Sequence, residues 1–256
     1  MNRRRNRIIR SPYFIMTLML VIILAVALSE SYRLFIANQN APIENFIEIP
    51  SSEVVTPAPI PQTITEETPL PAEASVKVPF TTQAPFANWD AVHEETCEEA
   101  SLLMIRYFLE GKSFTSPNLA EQELLTLVDY ENKNNYKVDV TLQELSDIAR
   151  DFYGLKGGRV VKNITLDKMK REIASGKPII IPASGKMLDN PNFKDGGPLY
   201  HMLVVKGYDK NGFITNDPGT RKGEGFRYTF DNLFNAIHDW NTNDINQGEK
   251  AFLVFD

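Results

Sequence analysis

Apolar side chains recur along the chain at two different spacings, which predict helices first and strands afterwards. In Cys97–Leu109 they lie three and four residues apart, which is the spacing of one face of an α-helix. Gly111 follows as a helix stop. Three further helices are predicted after Ser116, Thr141 and Thr165, because each of these hydroxyl side chains can accept a hydrogen bond at a helix N-terminus.

Strands are predicted in the second half of the chain, where runs rich in Val, Ile, Tyr and Phe replace the helical spacing. These runs are Pro178–Ala183, Tyr200–Tyr208, Phe213–Asn216 and Ala251–Phe255. A short strand is also expected at Val76–Phe80, and one more helix fits around Phe230–Trp240. Because helices followed by strands are typical of the α+β class, we expect an α+β domain over residues 76–256.

The N-terminal end has a different pattern. Residues 1–10 contain five arginines and no acid, and residues 11–29 carry no charge at all. Nineteen helical residues at ~1.5 Å each span about 28 Å, close to the thickness of a hydrocarbon core. We therefore predict a transmembrane anchor at 11–29, with the basic segment 1–10 in the cytoplasm. The alternative is a cleaved signal peptide, since Ala27 and Ser29 suit a cleavage site. Both interpretations export the domain.

Residues 30–75 are expected to form an extracytoplasmic stalk. Within them, residues 41–75 hold seven of the sixteen prolines and six glutamates, with no Lys, Arg or Gly. Such a composition buries little apolar surface and favours an extended or polyproline-like chain. A merely disordered tail is the alternative, with much the same consequence.

Charge and cysteine content narrow the possible functions. The 246 residues after the basic segment hold 22 basic and 33 acidic side chains. An acidic body does not attract phosphate backbones, so nucleic acid is not an expected partner. Cys97 is the single cysteine, so an internal disulfide is impossible. The residue is then a buried small hydrophobe, an intermolecular partner or a working thiol.

Cys97 lies at the predicted start of a helix, where free backbone N–H groups and the positive helix end stabilise a thiolate. We therefore expect the pKa of the thiol to be lowered. The same N–H groups can hold an oxyanion. Four flanking glutamates raise a thiol pKa unless they point outward, so the thiolate needs a cationic partner; they are Glu94, Glu95, Glu98 and Glu99. An inert buried cysteine is the alternative.

His201 is the candidate partner, because it stands near the start of an otherwise apolar strand. Asp217 ends the returning strand, and a carboxylate there would fix the tautomer of the imidazole. A satisfied core histidine is the alternative. With a three-residue hairpin loop, Val205 pairs with Asp217, which leaves His201 on the same face but roughly 13 Å away. A regular hairpin therefore does not join the two side chains, and a bulge or strong twist is needed.

Two blocks of the sequence resemble bacterial papain-like peptidases, and more narrowly the relatives of the bacteriocin-processing, double-glycine leader peptidases, a family C39-like domain. The blocks are Val78–Trp89 with Cys97–Met104, and Tyr200–Asp209 with Asn216–Pro218. The resemblance implies a papain-like fold in which a helical N-terminal part packs on an antiparallel sheet. This chain differs in its longer Gln-to-Cys spacing of fourteen residues and in the Glu98-Glu99 pair after the cysteine.

The resemblance also assigns roles, in the order Gln, Cys, His, Asp. It implies that Gln83 supplies a side-chain amide to the oxyanion hole and that Cys97 is the nucleophile. His201 would be the base and Asp217 the orienting acid. A cysteine peptidase of this kind needs no cofactor and no metal, and its partner is a peptide or protein substrate.

Three rival functions remain open at this point. The same fold could act as a cell-wall peptide amidase, or as a peptide-binding module without activity. Acyl transfer to an amine is the third. His93 and Cys97 are four residues apart, as two metal ligands on a helix can be. A metal site is nevertheless not expected, because zinc needs at least a third protein ligand.

Overall fold

The computed structural model of the chain describes residues 69–256. The basic segment 1–10, the anchor 11–29 and residues 30–68 of the stalk lie outside the described residues, so those predictions stay predictions. Within the described part, no helix combines the length and the apolar character that crossing a membrane requires.

Five α-helices are present in residues 69–256, and three of them begin directly after the hydroxyl residues that predicted a helix start. The helices are α1 (Cys97–Leu109), α2 (Pro117–Lys133), α3 (Leu142–Tyr153), α4 (Leu166–Ala174) and α5 (Phe230–Ala236). Ser116 and Thr165 each accept a hydrogen bond from the backbone three residues on. Thr141 forms a capping box with Glu144, and Gly154 ends the same helix in a left-handed conformation.

The described strands form one antiparallel sheet. They are β1 (Ala74–Ser75), β2 (Gly158–Lys162), β3 (Ile179–Ser184), β4 (Tyr200–Asp209), β5 (Gly212–Asn216), β6 (Glu224–Tyr228) and β7 (Ala251–Phe255). Their order is β2-β7-β3-β4-β5-β6, and β1 pairs with β4. The α+β class is confirmed.

Three details of the predicted strands were wrong. Val76–Phe80 is not a strand, and β1 precedes it at Ala74–Ser75. The sequence pattern also missed β2 and β6, which end the strand order and are only partly buried. Strands at the edge of a sheet need no continuous apolar run, so their pattern is weak.

Both faces of the sheet are buried, which explains the continuous apolar run of β4. Met202 and Val204 pack with α1, α2 and α3 on one face. Leu203 and Val205 pack with α4 and α5 on the other. Successive side chains of a strand point to opposite faces. One strand therefore serves both halves of the core.

The hairpin from β4 to β5 differs from the regular one that the sequence predicted. Its loop has two residues, because Asp209 pairs with Gly212. A bulge follows at Lys206, since Val205 pairs with Thr215 and Gly207 with Ile214. The bulge absorbs one residue of β4 and so shifts every later pair of the hairpin by one position.

Candidate active site

Cys97 is the first residue of α1 and lies against β4, with 5% of its surface exposed. The backbone N–H of Met202 donates to its sulfur at 3.4 Å. The regular pairing of β4 with β5 has already ended at Val204, opposite Asn216. Because Met202 is the residue after His201, the sulfur contacts β4 next to the candidate base.

The carboxyl group of Glu98 is the second neighbour of the thiol. The S–H group donates to Glu98 Oε2 at 2.9 Å. Glu98 and Glu99 are 2% and 4% exposed, so neither side chain points outward. α1 packs against both β4 and α2, which buries most of its residues, these two included.

The pKa of the Cys97 thiol is raised well above its ordinary value, which corrects the expected lowering. Burial is the largest cause, because a charged sulfur loses its hydration. The negative charge and hydrogen bond of Glu98 add to it, whereas the Met202 N–H acts in the opposite direction. The helix terminus does not outweigh these effects, so the thiol is protonated in this state.

His201 and Asp217 are in contact inside the protein, 1% and 0% exposed. His201 Nε2 lies 2.8 Å from Asp217 Oδ1. An ionised carboxylate only accepts hydrogen bonds, so Nε2 carries the proton in this pair. The other ring nitrogen, Nδ1, is then free to accept a proton.

Asp217 accepts hydrogen bonds on both oxygens. Oδ1 also accepts from the backbone N–H of Gly219 at 2.9 Å. Oδ2 accepts from the hydroxyl of Tyr228 at 2.6 Å and from Asn190 Nδ2 at 3.1 Å. Burial acts to raise the pKa of Asp217, but His201 and these donors outweigh it and lower the pKa. The carboxylate is thus held charged and oriented.

The bulge at Lys206 explains how His201 reaches Asp217. With a two-residue loop and no bulge, Asp217 would stand opposite Val204 and point to the face away from His201. The observed register, continued by one residue, places Asp217 opposite Leu203. It then shares a face with His201 at the diagonal distance of about 7–8 Å between Cα atoms, which two side chains can bridge.

Gln83 lies between the two halves of the site. Its backbone carbonyl accepts from the hydroxyl of Thr96, and its backbone N–H donates to the carbonyl of Pro218. Its side-chain amide donates to the carbonyls of His93 and Glu94 at 2.8 and 3.0 Å. Both amide protons are therefore occupied, which differs from the free oxyanion donor that the resemblance implies.

Four residues around the histidine–aspartate pair were not predicted as part of the site. Asn190 and Tyr228 contact Asp217, and the ring of Phe193 packs edge-on against His201 at 5.3 Å between centroids. A Cβ atom on Gly219 would lie 2.9 Å from His201 Cε1. The Asn-Pro-Asn run was the available signal for the loop containing Asn190, but no local pattern reveals its distant partner.

The metal alternative at His93 has no support in the described residues. His93 Nδ1 lies 2.7 Å from Asp90 Oδ1, and Nε2 lies 3.0 Å from Glu121 Oε1. Both ring nitrogens thus contact carboxyl groups instead of Cys97. Across residues 69–256, no three acidic, histidine or cysteine side chains form a group with metal-binding geometry.

Comparisons with known proteins give a family for most of the described residues. The model of the Peptidase_C39 like family matches residues 75–244. A crystal structure from Bacillus anthracis, of a protein provisionally named a C39-like peptidase, covers 72% of this chain and 97% of its own. It shares 13% identity, and the TM-score is 0.47. No curated protein matches the chain significantly.

Proposed function

Because the chain belongs to the Peptidase_C39 like family, as its two sequence blocks predicted, we propose that it is a cysteine peptidase that hydrolyses peptide bonds. Cys97 is the nucleophile, His201 the base and Asp217 the orienting acid. One observation carries the proposal: His201 is paired with a buried, fully hydrogen-bonded carboxylate, and the next residue of the same strand holds the sulfur of Cys97.

The proposed reaction uses these groups in turn. His201 Nδ1 takes the thiol proton, and the sulfur attacks the carbonyl carbon of the substrate to form a tetrahedral intermediate. The imidazolium then protonates the leaving amine as the C–N bond breaks. Water, deprotonated by the same imidazole, hydrolyses the thioester and restores the thiol. Asp217 stabilises the imidazolium throughout.

The oxyanion is assigned to the N-terminal backbone N–H groups of α1 and to Gln83. The Cys97 N–H points out of the first turn of a helix, where a developing negative charge is stabilised. Gln83 can contribute only if one of its amide protons leaves the carbonyl of His93 or Glu94. Substrate binding must therefore break one of these two hydrogen bonds.

We also propose that the peptidase acts outside the cytoplasm, anchored by residues 11–29. The support is the sequence pattern alone, namely five arginines before an uncharged apolar stretch. A protease added to intact cells should remove the domain while the N-terminal segment stays protected. Release of the domain into the medium without its first residues would indicate the alternative, a cleaved signal.

The test of the triad compares the full-length chain with three variants on a peptide library read by mass spectrometry. We expect Cys97→Ala to abolish cleavage and His201→Ala to reduce it by about 10²–10⁴-fold, the usual contribution of a general base. Asp217→Asn should lower kcat while leaving KM nearly unchanged. Lys222→Ala, an exposed change in the same loop as Gly219, is the control. Cleavage that survives Cys97→Ala would refute the proposal.

The raised thiol pKa favours a second candidate, a peptide-binding module that keeps the pocket without activity. Burial and Glu98 both oppose the thiolate that catalysis requires. If wild-type protein cleaves no library peptide but binds some of them, this second function is the correct one. Cleavage of the library therefore distinguishes the two functions. Iodoacetamide labelling below the ordinary thiol pKa would show in addition that the thiolate forms without a bound peptide.

A further inference from the structure

A pocket of about 230 Å³ opens beside the first turns of α1. It lies next to the candidate nucleophile, since Thr96 directly precedes Cys97 and forms part of the wall. The residues that matter here are Val92, Glu95, Thr96, Glu99, Glu131 and Val138. The mechanism above uses none of the carboxyl groups among them.

Two of these carboxyl groups are buried with an oxygen left over. Glu99 and Glu131 are 4% and 6% exposed. Glu99 Oε2 and Glu131 Oε1 have no hydrogen-bond partner anywhere in residues 69–256. Buried polar atoms without a partner are energetically costly and uncommon. Both oxygens therefore indicate that a group binds in the pocket.

The two carboxyl groups of the pocket suit a cationic ligand. Burial and the neighbouring Glu131 raise the pKa of Glu99 well above its usual value. Burial likewise raises the pKa of Glu131 to about 7, with Glu98 adding to the effect. Lys137 lines the rim but is exposed, and among the described residues it forms no ion pair with these groups. The raised pKa values mean that this buried pair holds protons while the pocket is empty, and the two carboxyl groups hydrogen-bond each other. A bound cation would favour their ionised forms and so displace a proton.

The apolar side chains that line the pocket favour a ligand whose cationic group is carried on an alkyl stem. Val92, Val128 and Val138 line the pocket, and Val92 and Val138 are 43% and 63% exposed. No group of side chains with metal-binding geometry occurs in the described part of the chain. The side chains of Lys and Arg combine an apolar stem with a charged head, which fits apolar walls above a carboxyl pair.

We propose that this pocket binds the lysine or arginine side chain of a peptide substrate, with its cationic head against Glu99 and Glu131. That the bound peptide is a substrate rests on the proposed peptidase function. Binding of the basic side chain does not require cleavage. A basic residue seated here lies next to Thr96, so the scissile bond is brought towards the sulfur of Cys97.

Occupation of the pocket would also act on the nucleophile. The charges of Glu98 and Glu99 are among the causes that raise the pKa of the thiol. A cation beside Glu99 opposes that effect. A basic substrate would thus favour its own attack, and the empty site would keep the thiol protonated.

The test uses full-length protein carrying Cys97→Ala, titrated at pH 7.5 with Nα-acetyl-lysine amide, Nα-acetyl-arginine amide and Nα-acetyl-norleucine amide. The norleucine probe has the same stem as lysine but no charge. We expect the two basic probes to bind about tenfold more tightly than the neutral one, as a desolvated charge pair provides. Glu99→Gln removes a group that a bound cation can ionise, and Val138→Trp places a larger side chain at the opening. Each substitution should abolish that difference. Glu94→Gln, an exposed acid in the preceding turn, should not.

The outcomes separate this inference from the peptidase function. Equal binding of the basic and neutral probes overturns the inference, even if the triad variants behave as expected. Selective binding that depends on Glu99, in a protein that cleaves nothing, supports the pocket and refutes only the peptidase. A divalent cation that binds with the same Glu99 dependence, while the lysine probe does not, also overturns it. Because Val138 is exposed, its variant stays informative if Glu99→Gln fails to fold.

Discussion

At the scale of single residues, the state of Cys97 depends on the side chain next to it. Glu98 accepts the hydrogen bond of the thiol, and both groups are buried. A protonated sulfur is stable in this arrangement, whereas a thiolate would stand beside a carboxyl group in a medium that screens charge poorly. Glu98 therefore opposes the reaction that His201 supports.

Glu98→Gln should make the thiol more reactive, because glutamine keeps the size of the side chain and cannot carry the negative charge that opposes a thiolate. We expect the pKa of Cys97 to fall and labelling by iodoacetamide to begin at lower pH. The measurement is the labelling rate of the full-length chain between pH 5 and 9, with Glu94→Gln as the matched control. An unchanged profile would mean that burial alone sets the pKa.

At the scale of elements, side chains satisfy the backbone donors at the start of α3, both from its own first turn and from Asp239 far along the chain. The Thr141 hydroxyl accepts from the backbone N–H of Glu144, and the Glu144 carboxylate accepts from the backbone N–H of Thr141. Asp239 accepts from the backbone N–H of Leu142, the first residue of the helix. The start of α3 thus has three donors satisfied by side chains, and the two bonds between Thr141 and Glu144 are the capping motif that was visible in the sequence.

Thr141→Ala should destabilise the domain by about 1 kcal/mol, the usual effect of losing a capping hydroxyl. The free energy of unfolding from urea titration of the full-length chain measures it. Gln143→Ala is the control, because Gln143 is exposed in the same turn. Equal effects of the two substitutions would show that the cap contributes nothing beyond ordinary surface interactions.

At the scale of the whole molecule, buried acids tie stability to pH. Burial raises the pKa of Glu131 to about 7 and that of Asp139 to about 6, the latter with help from Glu95. The folded protein keeps protons that the unfolded chain releases above about pH 4.5. The unfolded state is therefore favoured as pH rises, and the free energy of unfolding decreases between about pH 4.5 and pH 7.

Glu131→Gln should remove part of that pH dependence, since glutamine stays neutral at the same place. Between pH 5 and pH 8 the wild-type protein should lose up to about 3 kcal/mol more stability than the variant, the amount that follows from the shifted pKa. Urea titrations at both pH values give the difference, with Glu94→Gln as control. A variant that loses stability in parallel with the wild type would contradict the buried-acid explanation.

The sequence by itself determined the features that depend on neighbouring residues. Capping hydroxyls at Ser116, Thr141 and Thr165 located three helix starts, because a cap acts within one turn. The helical spacing after Cys97 located α1, and the apolar run containing His201 located β4. The family also followed from the two sequence blocks that contain Cys97 and His201, because short motifs can be recognised without knowing the structure of the residues between them.

Only the tertiary structure decided the features that join distant segments. The burial of Glu98 follows from the packing of α1 on β4, and no local pattern shows which face of a helix a partner will cover. The bulge at Lys206 brought Asp217 to His201 because one unpaired residue changes the register of a whole hairpin. Asn190 joined the site from 27 positions away. Register, burial and long-range contacts are properties of several segments together, and a sequence specifies them only through the fold.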